Sequence, residues 1–267
     1  MKVLKLIAIA IVVLAAVVGL LFLSGGSGST TITGDKGRLM EKMKGELLTE
    51  WNASQEWDTD LFDNSLDRLK QNRRELGDGY QTLVDLTGEL ACHRLDSVMM
   101  AEWAKSDCDH TQIEVYGNAL DHLLAKISHF NSNADVNKMK ATMDLYRKAR
   151  SLSSRNLSLA PRFNAETDQW TSFASHSSAI KRQCSDIKQS PYWANISNIT
   201  EITSGLAQID SRLQAAKGAY KTRLAREIIA AYEPLEPHET DRLAQVHSRF
   251  LRELGGDNDL NKFVQNY

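Results

Sequence analysis

ITEITSGLAQIDSRLQAAKGAY, residues 199–220, is the most regular stretch of this 267-residue chain. Apolar or aromatic side chains recur at alternating steps of three and four residues, at Ile199, Ile202, Leu206, Ile209, Leu213, Ala216 and Tyr220. That spacing places them along one side of an α-helix for about three heptads. The stretch therefore predicts a helix with one apolar seam, which follows Pro191 and ends at Pro234 and Pro237.

The same helical periodicity occurs along most of the chain, and strand-like alternation never persists for more than a few residues. We therefore predict an all-α fold, with an antiparallel bundle of about six helices over residues 35–233 and a C-terminal helical appendix over residues 234–267. The predicted helices cover residues 35–57, 61–103, 109–130, 134–155, 164–189, the seam helix and 243–254, and a short apolar tail follows the last of them.

Two glycines lie inside the longest predicted helix. Either one helix runs over residues 61–103, or Gly77-Asp78-Gly79 breaks it. The apolar stripe resumes nearly in phase beyond the glycines, although two glycines cost a helix about 2 kcal/mol relative to alanine. We predict a continuous helix, with a kink allowed at the glycines, and the broken arrangement stays open as the alternative.

An apolar run without charge or proline extends from Leu6 to Leu23. As a helix it would span about 27 Å, close to the thickness of the hydrocarbon core of a bilayer. It is also longer than the apolar region of most cleaved signal peptides. We therefore predict that residues 1–23 are a signal-anchor, whose residues 6–23 form a transmembrane helix in the lipid bilayer, and that the Gly/Ser/Thr-rich residues 24–34 form a flexible spacer.

Charge around this run predicts its orientation. Lys2 and Lys5 precede it, whereas the spacer contains no basic residue, so the N-terminus is expected in the cytoplasm and the rest of the chain outside. The alternative is cleavage of a signal peptide near the small residues after Leu23, which would give a secreted or periplasmic protein.

Composition and motifs exclude several classes of function. The 32 basic and 34 acidic side chains give a net charge of −2 without long single-sign blocks, so nothing indicates a nucleic-acid partner. Three cysteines cannot all pair within one chain, so the protein is not a disulfide scaffold. The sequence contains no nucleophile elbow, dinucleotide or nucleotide loop, or paired metal-binding histidine motif, so we predict that it is not an enzyme and uses no cofactor.

Candidate metal ligands occur between residues 92 and 129. The group comprises Cys92-His93, Asp107-Cys108-Asp109-His110, Asp121-His122 and His129. Thiolates and imidazoles are ligands that zinc prefers, which makes Cys92, Cys108, His110 and His122 the weak candidates for a metal site. Their spacing matches no known zinc motif, and such residues between helices are usually solvated, so we expect no bound metal and no catalytic residue.

The expected function follows from these points. The sequence favours a membrane-anchored, extracytoplasmic helical interaction or scaffold module with an unidentified protein partner. Because Gly205 and Gly218 weaken an isolated seam helix, we expect the seam to be buried within its own chain and the external part to be monomeric. Arg147, Lys148 and Arg150 are interpreted as a solvated face. A ligand-sensing bundle, a secreted binding protein and, last, a metal-dependent hydrolase built on Cys92, His110 and His122 remain alternatives.

Overall fold

The computed structural model describes residues 34–234 and 240–267. The predicted anchor, and all of the predicted spacer except Gly34, lie outside the described residues. Among the described residues, every helix is too short or too polar to cross a bilayer.

The all-α prediction is confirmed, because helices make up most of the described chain and a single short hairpin is its only sheet within those residues. The described residues form twelve α-helices, several of them short, and ten of these lie within residues 35–233, where about six were predicted. In chain order these are α1 (Asp35–Ala53), α2 (Thr59–Gln71), α3 (Arg73–Leu76), α4 (Gly79–Trp103), α5 (His110–Lys126), a 3-10 turn (Ser128–Ser132), α6 (Ala134–Ser154), β1 (Phe163–Asn164), β2 (Gln169–Trp170), α7 (Phe173–Gln189), α8 (Trp193–Ile196), α9 (Thr200–Ala207), α10 (Ile209–Tyr232), α11 (Thr240–Leu254) and α12 (Asn258–Asn266).

The described chain divides into two compact units. The first contains residues 34–53 and 63–85, and its buried residues are Met43, Leu47, Trp51, Ser65, Leu69, Leu76, Gly79 and Leu83. Within it, the Arg68 guanidinium donates two hydrogen bonds to the Glu50 carboxylate, at 2.7 and 2.8 Å. This bidentate pair joins α2 to α1 beside the apolar contacts.

The prediction of one continuous helix over residues 61–103 is wrong. The helix ends at Gln71, a single turn forms α3, and α4 begins at Gly79. Gly77 has φ 54° and ψ −124°, a conformation that glycine adopts readily because it has no Cβ. The glycine pair therefore ends one helix and starts another, and α4 then continues without a break to Trp103.

The described residues of the second unit are 54–62, 86–234 and 240–267, and they form a helical bundle built around α6 and α10. Helix α6 packs against α5, α7, α8 and α9, whereas α10 packs against α7, α9, α11 and α12. Asn133 caps the first turn of α6, since its side chain accepts hydrogen bonds from the N–H groups of Asp135 and Val136. Below that cap, α6 buries one continuous apolar face that includes Met139, Met143, Tyr146, Ala149 and Leu152.

The seam is buried within its own chain, as expected, but it is not one helix. Its apolar residues are buried except Ala216, which is half-buried. Ile199, directly before α9, has an extended backbone, and the N–H of Thr200 donates to the carbonyl of Ser106 at 2.9 Å. This tertiary hydrogen bond replaces a helical one, which accounts for the separation of α8 from α9. Gln208 alone separates α9 from α10.

A hairpin precedes α7, where a helix from residue 164 was predicted. Phe163 pairs with Trp170, and the turn between the strands contains Asp168 at φ 54°. The Asp168 carboxylate accepts hydrogen bonds from Tyr232 at 2.5 Å and Arg242 at 2.7 Å, so α10 and α11 fix the turn. At the C-terminus, the predicted tail is a helix, α12, which packs on α10 and α11.

Candidate functional site

His110 lies at the centre of a polar cluster in the second unit. It is the first residue of α5, and the preceding Asp109 caps that helix by accepting hydrogen bonds from the N–H groups of Thr111 and Gln112. The His110 ring Nε2 lies 2.6 Å from a Glu201 carboxylate oxygen, and Nδ1 lies 2.5 Å from the Tyr146 hydroxyl. The imidazole thus connects the starts of α5 and α9 to the middle of α6.

Cys108 places a thiol beside that imidazole. Its Sγ lies 3.6 Å from His110 Nδ1, the nitrogen that also contacts the Tyr146 hydroxyl. The thiol is 6% exposed, and burial raises its pKa, as do the carboxylates of Glu102 and Glu201. Burial also raises the pKa of the Tyr146 hydroxyl. Burial therefore favours the uncharged thiol at Cys108 and the uncharged phenol at Tyr146.

The buried carboxylate of Glu102 accepts hydrogen bonds from residues of the adjoining turn. One of its oxygens accepts a hydrogen bond from the Asp109 N–H at 2.7 Å, and the other accepts one from the Lys105 ammonium at 2.5 Å. These bonds fix the turn between α4 and α5 and compensate for the burial of the charge. Glu102 therefore positions the start of α5.

The other candidate ligands point to different surroundings. Burial, reinforced by the carboxylates of Asp135, Glu89 and Asp96, raises the pKa of the Cys92 thiol to about 12. The His122 ring packs edge-on against the Phe62 ring, with 6.0 Å between the ring centroids, and the His129 and Phe130 rings pack in the same way, with 5.1 Å between their centroids. Cys92, Cys108 and Cys184 are all free thiols and all buried.

Across residues 34–234 and 240–267, no group of three or more histidine, cysteine or acidic side chains is arranged to hold a metal ion. Of the candidates Cys92, Cys108, His110 and His122, the structure brings Cys108 and His110 into contact. The metal-dependent hydrolase required Cys92, His110 and His122 to converge, and they do not form such a group.

An open groove lies between α6 and α7 in the second unit. Its volume is about 730 Å³. The lining residues are Leu145, Arg147, Lys148, Ser151, Leu152 and Arg155 from α6 and its C-terminal end, and Gln183, Asp186, Ile187 and Ser190 from α7 and its C-terminal end. Leu145, Leu152 and Ile187 are buried and form the apolar floor, and the polar side chains stand along the walls.

The charge on the two walls differs. Three of the lining residues on the α6 side are basic, and Asp186 on α7 is the one acidic side chain among the described residues that line the groove. Arg147 is already paired, because its Nη2 lies 2.7 Å from Glu114, and this hydrogen bond raises the pKa of the guanidinium. Lys148 and Arg155 are exposed, and neither side chain forms an ion pair in the part of the chain that the structure describes.

Arg212 binds the C-terminal end of the α6 wall. Arg212, on α10, donates to the carbonyl of Ser153 at 2.5 Å and also to the carbonyl of Arg155. The last carbonyls of a helix receive no hydrogen bond from the helix itself, so the Arg212 guanidinium supplies the missing donors. Its positive charge also interacts favourably with the negative end of the helix dipole. The positions of Arg155 and of the last turn of α6 are therefore set by the bundle and not by a mobile loop.

Sequence analysis assigned Arg147 and Lys148 to a solvated face and gave Arg155 and the α7 residues no role. The available signal was the spacing of Lys148, Ser151 and Arg155, which places them on one side of a helix. Which element faces that side could not be inferred from spacing. No known protein family, curated protein or solved structure matches this chain.

Proposed function

We propose that this chain is a membrane-anchored, extracytoplasmic helical interaction module that binds a protein partner in the groove between α6 and α7. In this proposal the chain holds the partner near the membrane as a scaffold, and no residue of the chain acts in catalysis. The observation that carries the proposal is the groove itself, which has an apolar floor and, on one wall, two exposed cations, Lys148 and Arg155, that form no ion pair with the described residues.

The contrast between the groove and the His110 cluster supports binding over chemistry. In the cluster, the His110 ring is already hydrogen-bonded to Tyr146 and Glu201, and burial raises the pKa of both the Cys108 thiol and the Tyr146 phenol. The groove is open to solvent and presents apolar surface next to charges that lack a partner within the described chain. Surfaces of this composition are typical of recognition sites, where apolar contact gives affinity and charges give specificity.

The anchor is the second part of the proposal and rests on the Leu6–Leu23 run. A module that stays at the membrane by its own helix needs only modest affinity for a partner in the same membrane, because tethering raises the effective concentration of both. The secreted alternative retains the groove but lacks this advantage. The N-terminus of the mature chain distinguishes the two, since cleavage would place it after Leu23.

Site-specific photo-cross-linking in the native membrane tests the binding surface. A photoreactive amino acid replaces Ser151, which lines the groove, or Ser185, an exposed residue of α7 that does not line it. We expect a discrete adduct to one protein from position 151, none from position 185, and loss of the adduct when Lys148 and Arg155 are both changed to glutamate. Equal labelling from both positions, or an adduct unaffected by the charge reversal, would refute the groove as the binding surface.

A further inference from the structure

Two cations on the α6 wall of the groove share one helical face. Lys148 and Arg155 are seven residues apart, which is two helical turns and about 10.5 Å along the axis. Ser151 lies between them on the same side and also lines the groove. On the facing wall, Gln183, Asp186 and Ser190 follow at steps of three and four residues. Both walls therefore present side chains at a helical repeat.

We propose that the groove binds an α-helical segment of the partner, with acidic side chains two turns apart along one edge of an apolar stripe and a basic side chain along the other edge. This inference rests on the proposed function and specifies its partner. The acidic edge lies against Lys148 and Arg155, the apolar stripe faces the floor of the groove, and the basic edge lies against Asp186.

The shape of the site favours a helix. A third helix seated between two helices places its own side chains, at i, i+3, i+4 and i+7, opposite side chains with the same repeat. The floor residues Leu145 and Leu152 are also seven residues apart, so the apolar contacts and the charges have the same period. An extended strand repeats every two residues and would not match this spacing.

The charges favour a partner helix with one acidic edge, and they determine which edge faces which wall of the groove. Arg147 is neutralised by Glu114, which leaves Lys148 and Arg155 as the cations available to a ligand on this wall. Asp186 on the opposite wall disfavours an acidic side chain there and favours a basic one. A helix with acidic residues on both edges would bring like charges together at Asp186.

The test uses the full-length chain in detergent micelles and a fluorescein-labelled helical peptide designed to this pattern. The peptide carries a leucine stripe, two glutamates seven residues apart on one edge, and one lysine on the other. We expect saturable binding by fluorescence anisotropy, which weakens about tenfold or more in the Lys148→Glu/Arg155→Glu double variant. A peptide with lysines in place of the two glutamates should bind the double variant better than it binds the unchanged chain.

A matched control keeps the net charge of the double variant. Lys188→Glu/Arg223→Glu changes two exposed cations outside the groove, on α7 and α10, and should bind the acidic peptide as the unchanged chain does. Circular dichroism of all three proteins should give the same helical content, so that a loss of binding is not a loss of folding.

Other results would overturn the inference. Failure of the acidic peptide to bind, or equal weakening by both double variants, excludes the helical partner. Tighter binding of inorganic phosphate or phosphatidylglycerol vesicles, abolished by the groove variant, would replace it with an anionic headgroup. If the cross-link from Ser151 still forms while the peptide fails, the interaction proposal stands and the partner class is wrong. If both fail, the groove does not bind a protein.

Discussion

The approach of α9 to α6 gives a direct test of the packing of the second unit through Gly205. A Cβ added at Gly205 would lie 2.6 Å from Ser153 Cβ, 2.8 Å from the Ser153 carbonyl oxygen and 3.0 Å from its Cα. Ordinary contact begins at 3.4 Å, so the helices must separate by about 0.6–0.8 Å. Because two of these atoms are backbone atoms, a change of side-chain rotamer cannot relieve the clash.

The expected magnitude for Gly205→Ala follows from two opposing terms. Overpacking of a tight contact costs about 1–3 kcal/mol, with the upper part of that range expected for backbone atoms. Replacing glycine by alanine inside a helix returns about 1 kcal/mol. We therefore expect the free energy of unfolding to fall by about 1–2 kcal/mol, which is about 2–8 °C in thermal midpoint for a unit of this size. Arg212 donates hydrogen bonds to the carbonyls of both Ser153 and Gly205, so separating the two helices would also weaken these bonds.

Gly218→Ala is the matched control, because a Cβ at Gly218 meets no atom within 4 Å. It keeps only the helix-propensity term, so we expect a gain of about 0.5–1 kcal/mol and a midpoint about 1–4 °C higher. Thermal and urea unfolding of the full-length chain, followed by circular dichroism, measure both variants. Should Gly205→Ala raise stability as Gly218→Ala does, the close approach of α9 to α6 does not exist.

Three further predictions concern the core, the hairpin and the membrane. Leu213→Ala leaves a buried cavity and should lower the free energy of unfolding by about 2–5 kcal/mol, with a thermal midpoint that does not depend on protein concentration. If the unchanged chain is instead a dimer that Leu213→Ala dissociates into folded monomers, the seam is an interface between copies. Burial raises the pKa of Asp168, but hydrogen bonds from Arg242 and Tyr232 outweigh it and hold the pKa below its usual range. The stability that Asp168 contributes is therefore complete above about pH 5 and is lost as the pH falls through its folded pKa. Asparagine tolerates the φ of 54°, so Asp168→Asn should lower the free energy of unfolding by about 1–2 kcal/mol at pH 7 and by progressively less below pH 5, as measured by urea titration. A loss of stability that stays constant with pH would contradict this assignment. The native protein should sediment with membranes and resist carbonate washing because residues 6–23 are stable in hydrocarbon, whereas a soluble chain beginning near Ser27 would exclude the anchor.

Helix positions in the second unit were predictable where the controlling signals are local. The predicted helix over residues 134–155 corresponds to α6 within one residue at its C-terminal end, because Asn133 caps it and the apolar period is unbroken. The predicted start at Asp109 is likewise close, since Asp109 is the cap of α5. Capping and a 3.6-residue period act within a few residues, so a single sequence contains them in full.

The interruptions of the predicted helices at Gly77, before Thr200 and at the hairpin were not predictable in the same way. A φ of 54° at Gly77 is one conformation among several that glycine allows, and the apolar stripe on either side fitted a continuous helix equally well. The end of helical structure before Thr200 depends on a hydrogen bond to Ser106, a residue distant in the chain. The hairpin at residues 163–170 is held by Tyr232 and Arg242 in the same manner.

The sequence by itself determined that this chain is helical, which faces of its helices are apolar, and that an apolar run precedes them. Only the tertiary structure decided what those faces meet: Glu201 beside His110, Ser153 beside Gly205, and the α7 wall beside Lys148. The physical reason is that periodicity and capping arise from neighbours along the chain, whereas a groove or a closed polar cluster arises from side chains far apart in sequence whose approach depends on how whole helices pack.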